Sequence, residues 1–209
     1  MDTLTLKRKN DITPTIVLLI LDILYLGLVA VPLIGGMDLA AHKAMQYALH
    51  LTVIVSALAI FFFVDRVYAA EEDKRNGGLA RIFAALFTLP ILIARGIGLA
   101  AISDNALYAA DSLFNFYAAS SIIRPIELMA WTTFFPFSML FLSNLFFKAE
   151  KAGALAWLCL LSAICCFIAF MTILSPHMLF LFIGILGWGI LFIPILILYL
   201  LRQIKGNKR

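Results

Sequence analysis

The sequence predicts an all-α fold, a polytopic bundle of six transmembrane helices with both termini cytoplasmic. Three observations carry this reading. The chain of 209 residues is 64% hydrophobic and only 13% charged, whereas soluble globular domains carry about 25% charged residues. Its apolar runs exceed the roughly 18 residues that mark a membrane span, and they lack the short alternating segments of a β-barrel. Its Lys and Arg residues gather on one side of those runs, as the positive-inside rule requires. Residues 1–209 read as a single integral membrane domain.

The spans fall at about 12–34, 44–64, 79–101, 118–147, 154–174 and 178–201. Most cover roughly 31 to 36 Å as helices, which suits a hydrocarbon core of about 30 Å with modest tilt. The first follows the basic stretch Lys7-Arg8-Lys9. Its apolar run is too long for a signal-peptide core and no small-residue cleavage site follows, so it reads as retained. The second contains "QYALHLTVIVS", with Gln46 and His50 at i, i+4 and Thr52 and Ser56 further in. The connection "DRVYAAEEDKRNGG" (65–78) reads as a solvated turn, from its mixed charges and paired glycines. The third span carries Arg95 between small residues, and Gly96 and Gly98 open space for a neighbouring helix or for the guanidinium. The connection 102–121 has no Lys or Arg. Its Leu107, Ala110, Phe114 and Tyr117 recur at helical spacing, which predicts a short helix lying on the outer surface. The fifth span holds Cys159, Cys165 and Cys166, which lack metal spacing and read as small packing residues. The sixth clusters Gly184, Gly187 and Gly189, which let helices approach closely. Pro90, Pro136 and Pro194 are expected to kink three spans.

Orientation follows from the basic residues. With both termini on one side, thirteen of the 16 Lys and Arg lie there, and Lys43 alone lies on the other. Arg95 and Arg124 fall within or beside spans. The net charge of +4 therefore reflects orientation in a cell membrane rather than nucleic-acid binding.

An ionisable group at the centre of a membrane helix costs roughly 2.5 to 3.5 kcal/mol on insertion scales. Asp22, Arg95, Arg124 and Glu127 are therefore candidate site residues, two acidic and two basic. Asp22 lies roughly 18 Å, and Arg95 roughly 9 Å, from the outer boundary by helical rise. The stretch "SSIIRPIELMAW" (120–131) allows two placements of the fourth helix. If the helix enters near Ala118, Pro125 is a kink, and Arg124 and Glu127 join Asp22 and Arg95 in a buried polar cluster in the outer half of the bundle. If Pro125 instead marks the first turn, Glu127 stands beside the positive helix end and Arg124 is an interfacial anchor. The apolar Ile122 and Ile123 favour the first placement. His50 and Gln46 complete the candidate ligand or proton site; the competing account makes them hydrogen-bonding glue between helices. His42 and His177 lie in connections. The sequence carries no metal motif, nucleotide loop or nucleophile motif, so catalytic residues, metal and cofactors are not expected.

The six-span layout at this length resembles a group of bacterial membrane proteins that carry a domain-of-unknown-function label. The likeness extends to the last two spans, "AGALAWLCLLSAICCF" and "GILGWGILFIPILILYLLRQIKG", which run into a basic tail. The resemblance implies a bacterial cytoplasmic-membrane protein and assigns no residue a role. The leading functional expectation is binding or proton-coupled transport of a small polar or anionic solute through the polar cluster. A non-catalytic membrane scaffold or partner subunit is the alternative, and an intramembrane enzyme comes third because no catalytic set converges. The expected partner is the lipid bilayer, without nucleic acid, and the oligomeric state is open.

Overall fold

The apolar runs form six long helices in a computed structural model that describes residues 12–35, 42–104, 107, 113–115, 121–149, 153–175 and 177–206. They are α1 (Thr13–Gly35), α2 (Lys43–Ala70), α3 (Lys74–Ser103), α4 (Ile123–Lys148), α5 (Gly153–Leu174) and α6 (Met178–Lys205). All six are long and apolar enough to cross a membrane, and no strand occurs among the described residues. The chain is a multi-pass integral membrane protein. Each helix packs on the next in sequence, and α6 returns to α1, so the six close into a ring.

Aromatic side chains fill the middle of that ring. Phe63 meets Phe192 and Tyr199 edge-on, and Phe135 meets Phe192 in the same way. Phe87 meets Trp131 at 4.7 Å, and Trp131 meets Trp188 at 5.3 Å. Edge-to-face pairs put a positive ring edge against a negative face and contribute about 0.5–1.5 kcal/mol each beyond their buried area. Ile20, Ile23, Leu24, Phe62, Leu89 and Trp157 point outward, as lipid-facing positions allow.

Several helix boundaries differ from the sequence expectation. The 65–78 connection shrinks to Glu71–Asp73, because α2 runs on to Ala70 and α3 starts at Lys74. Asp73 caps α3, accepting from the Asn76 backbone N–H at 3.2 Å and from its side chain at 2.7 Å. Gly77 is helical rather than part of a turn. A Cβ there would stand 3.1 Å from Tyr68 Cδ2, so its lack of side chain lets α2 and α3 cross closely. The charges of this segment tie helix ends together: Arg81 to Asp65 at 2.9 Å, Lys148 to Asp73 at 2.8 Å and Arg202 to Glu71 at 2.6 Å. The surface helix expected within 102–121 falls mostly outside the described residues, and Leu107 and Phe114, which are described, lie in turns. His177 caps α6, its Nδ1 accepting from the Leu179 N–H at 3.2 Å.

The expected kinks at Pro136 and Pro194 take a particular form. α4 widens into a π turn over Ala130–Phe134, and α6 does so over Leu186–Ile190. The Phe135 N–H bonds to the Ala130 carbonyl, and the Leu191 N–H reaches the Leu186 carbonyl at 2.8 Å, both spanning five residues. A proline removes one backbone donor and crowds the carbonyl four residues before it. Widening the preceding turn relieves that crowding. In α6, Ser162 of α5 donates its hydroxyl to the Gly187 carbonyl at 2.8 Å, which satisfies a polar group within the widened turn.

Candidate functional site

Arg95 and Glu127 form a buried ion pair. Arg95 Nη2 lies 2.5 Å from Glu127 Oε1, and the two residues are 5% and 6% exposed. The pair lies toward the end of the bundle that carries the 104–122 connection, with Arg95 roughly 12 Å back from Ser103 and Glu127 roughly 6 Å in from Ile123 by helical rise. A guanidinium and a carboxylate that neutralise each other can share an apolar interior where either alone would be strongly disfavoured. The Trp131 Nε1–H donates to the same Glu127 oxygen at 3.3 Å, from one turn further along α4.

The start of α4 corrects the favoured placement. The helix begins at Ile123 rather than near Ala118, so Pro125 sits in its first turn and is not a mid-membrane kink. Glu127 is nevertheless buried, because α3 brings Arg95 to it. Arg124 is exposed and lies apart from the pair. Its place is that of the interfacial anchor, and the Ser121 hydroxyl accepts from its backbone N–H at 3.4 Å.

His50 adjoins the pair from α2. It is fully buried and within electrostatic reach of Arg95. Its imidazole lies over Gly98: an added Cβ would stand 2.3 Å from Cε1 and 2.9 Å from Nδ1. Gly98 thus opens space, as expected of it, but for the histidine rather than for the guanidinium. Gly96, two residues earlier, has nothing within 4 Å of where a Cβ would stand. Gln46 is buried one turn before His50 on α2.

Asp22 belongs to an adjoining compartment. It is 6% exposed on α1 and lines a small cavity with Tyr25, Ser56, Trp131 and Trp188. The cavity volume is about 10 Å³, close to what one water molecule requires. Asp22 Oδ2, Ser56 Oγ and Trp188 Nε1 are buried without a hydrogen-bond partner among the described residues. The Tyr25 hydroxyl is within electrostatic reach of Asp22, Arg95 and Glu127. The Trp188 N–H faces that hydroxyl without closing a hydrogen bond of ordinary geometry. Trp131 touches both compartments, lining the cavity and bonding Glu127.

The structure therefore brings together Arg95, Glu127 and His50, sets Asp22 beside them across Tyr25 and Trp131, and leaves Arg124 out. Sequence reasoning missed Tyr25, Trp131 and Trp188. The first two carried a usable signal: Tyr25 lies three residues after Asp22 and Trp131 four after Glu127, each on the same helix face as its acid. Trp188 carried one in its neighbours. A Cβ on Gly184 would stand 2.5 Å from the Trp188 ring, so this glycine of the cluster makes room for the indole. Among the described residues no three His, Cys, Asp or Glu side chains form a group able to hold a metal. No protein-family model, no curated protein and no solved structure matches this chain.

Proposed function

We propose that the protein is a proton-coupled transporter of a bacterial cytoplasmic membrane, in which the carboxyl group of Asp22 takes up and releases the proton. One observation carries the reading. Of the carboxylates buried in the spans, Glu127 is fixed by Arg95 at 2.5 Å and Asp65 by Arg81 at 2.9 Å, while Asp22 has an oxygen with no partner among the described residues. A carboxylate clamped by a guanidinium keeps its charge and its position. One that faces neutral groups can change its protonation without breaking an ion pair. The coupling role that the sequence reading gives to the polar cluster thus falls to Asp22, and the Arg95–Glu127 pair becomes the fixed dipole beside it.

In this reading the termini lie in the cytoplasm, on the side of Arg66, Lys74, Arg81, Lys148 and Arg202, as the distribution of Lys and Arg supports. That orientation puts the ion pair in the outer half of the membrane and the central aromatic residues between it and the cytoplasm. A cavity of about 10 Å³ admits a proton carrier but no larger solute, so a polar or anionic solute would enter in a second conformation. The tight packing of Arg95, Glu127 and Trp131 favours a second reading, in which the charges only lock the helices of a scaffold together.

Proton flux separates the two. Purified protein is reconstituted into liposomes that contain a pH-sensitive dye, and a potassium diffusion potential is imposed with and without a panel of small anionic solutes outside. Wild type is expected to acidify the lumen faster than protein-free liposomes, and Asp22→Asn to fall to the protein-free rate. Equal rates for wild type and Asp22→Asn under every condition would leave the scaffold.

A further inference from the structure

We infer that the cavity beside Asp22 is a binding site for one water molecule, which links the Asp22 carboxyl to Ser56 and to the Tyr25–Trp188 pair. Four features converge on it. The cavity volume of about 10 Å³ matches a single water, which also needs two to four polar partners. Three buried polar atoms on residues lining this cavity lack a partner among the described residues. Their chemistry is complementary to water: Trp188 Nε1–H only donates, an ionised Asp22 oxygen only accepts, and the Ser56 hydroxyl does both. The Trp188 N–H faces the Tyr25 hydroxyl without closing a hydrogen bond of ordinary geometry, an arrangement that a bridging water completes.

The donor set also selects against other small occupants. A bound cation would be repelled by the indole N–H, whose positive edge belongs to the same lining. Halide or another anion would meet the Asp22 carboxylate. Water alone satisfies a donor, an acceptor and a hydroxyl at once.

Such a water serves as the last link of a proton path to Asp22. The water's own O–H bond that points at Asp22 Oδ2 breaks as the carboxyl O–H forms, and a proton arriving on the far side of the water forms a new O–H bond there and restores the neutral molecule. Atoms and charge balance without any further reactant. The charged and titratable groups that face this exchange are Tyr25 on the same helix, Arg95 on α3 and Glu127 on α4, with His50 of α2 beyond Arg95. Arg95 and Glu127 offset one another, so the field at Asp22 stays nearly constant while the proton moves. The relay role rests on the proton-exchange reading above; the presence of the water does not.

Water-edited solid-state NMR tests the site on the full chain in liposomes. The protein is labelled with carboxyl-¹³C aspartate, and Asp22→Asn identifies the Asp22 signal. Magnetisation starting on water is expected to reach the Asp22 carboxyl in wild type. It is expected to weaken in Ser56→Ala, which removes one partner, and to be lost in Ser56→Val, whose side chain occupies the cavity. No transfer in wild type, or equal transfer in wild type and Ser56→Val, would overturn the water site. Transfer lost in Ser56→Val while proton flux stays at the wild-type rate would overturn the relay. Transfer present in wild type while Asp22→Asn leaves flux unchanged would establish the water and sink the proton-exchange reading instead.

Discussion

Removing both members of the Arg95–Glu127 pair should destabilise the protein by less than the sum of the two single losses. Glu127→Gln keeps the shape of the side chain but deletes the charge that stands 2.5 Å from Arg95 Nη2. The guanidinium, 5% exposed in the interior of a spanning bundle, then loses the charge of this carboxylate. Breaking a buried ion pair from one side costs about 3–5 kcal/mol in proteins. The lower figure applies here, because Gln can still accept one hydrogen bond. The Trp131 N–H also loses part of its acceptor, which adds to the loss. For a chain of this size 1 kcal/mol moves the melting temperature by roughly 2–4 °C, so a fall of roughly 6–12 °C is expected. Arg95→Gln should cost a similar amount by exposing the opposite charge. The double variant should cost less than the sum of the two, by a coupling of about 1.5 kcal/mol or more. Thermal unfolding of the four proteins in one detergent, followed by circular dichroism, reads all of this. Arg124→Gln serves as the control and should change little, since that side chain is exposed and outside the pair. Additive losses in Glu127→Gln and Arg95→Gln would refute the pairing, whatever the size of each.

Gly98→Ala should cost about 1–3 kcal/mol by overpacking, because the new Cβ meets the His50 ring at 2.3 Å; His50→Ala should restore the melting temperature of that variant by making room. Asp22→Asn should leave stability unchanged or raise it, since it deletes an intramembrane ionisable group with a partnerless oxygen, and a melting curve shifted downward would count against the cavity geometry. The Asp73 carboxylate is held well below its ordinary value of 3.8 by the hydrogen bond from Lys148 and by those from Asn76. A depressed folded-state value makes the stabilisation fully present above the unfolded value, and it disappears as pH falls through the folded one. Asp73→Asn should therefore lower stability by the same amount at pH 8 and pH 5, and its deficit should shrink only below about pH 4; a deficit that changes between pH 8 and 5 would assign the effect to another group.

The six-helix architecture was legible because it rests on a crude property. A run of twenty apolar residues has to be helical in lipid, where each backbone N–H and C=O needs a partner within its own segment. Boundaries were less legible for a related reason. Asp65, Glu71 and Asp73 looked like part of a long wet loop, yet the flanking helices extend beyond the apolar runs, and Arg81, Arg202 and Lys148 meet those acids in turn across helix ends. Charge at a helix end says nothing about length until its partner is known. The start of α4 was misjudged on similar grounds. Ile122 and Ile123 suggested immersion, but Pro125 fits a first helical turn, where its missing N–H leaves no bond unmade.

The candidate site divides along the same line between local and non-local information. Burial of Asp22, Arg95 and Glu127 could be anticipated, since a charge in a spanning segment has to face other protein. Which charge meets which could not, because the choice between Arg95 and Arg124 for Glu127 turns on the register of α3 against α4. Arg124 is the nearer in sequence, three residues away, and Arg95 is the one that pairs. The π turns sharpen the point. Each inserts extra chain before a proline and so rotates everything beyond it relative to a regular helix. Trp131 and Trp188, one within each π turn, meet at 5.3 Å over the Asp22 cavity. The carboxyl of Asp22 is placed where both indoles, a tyrosine and a serine surround it, with the fixed charge of the ion pair one side chain away.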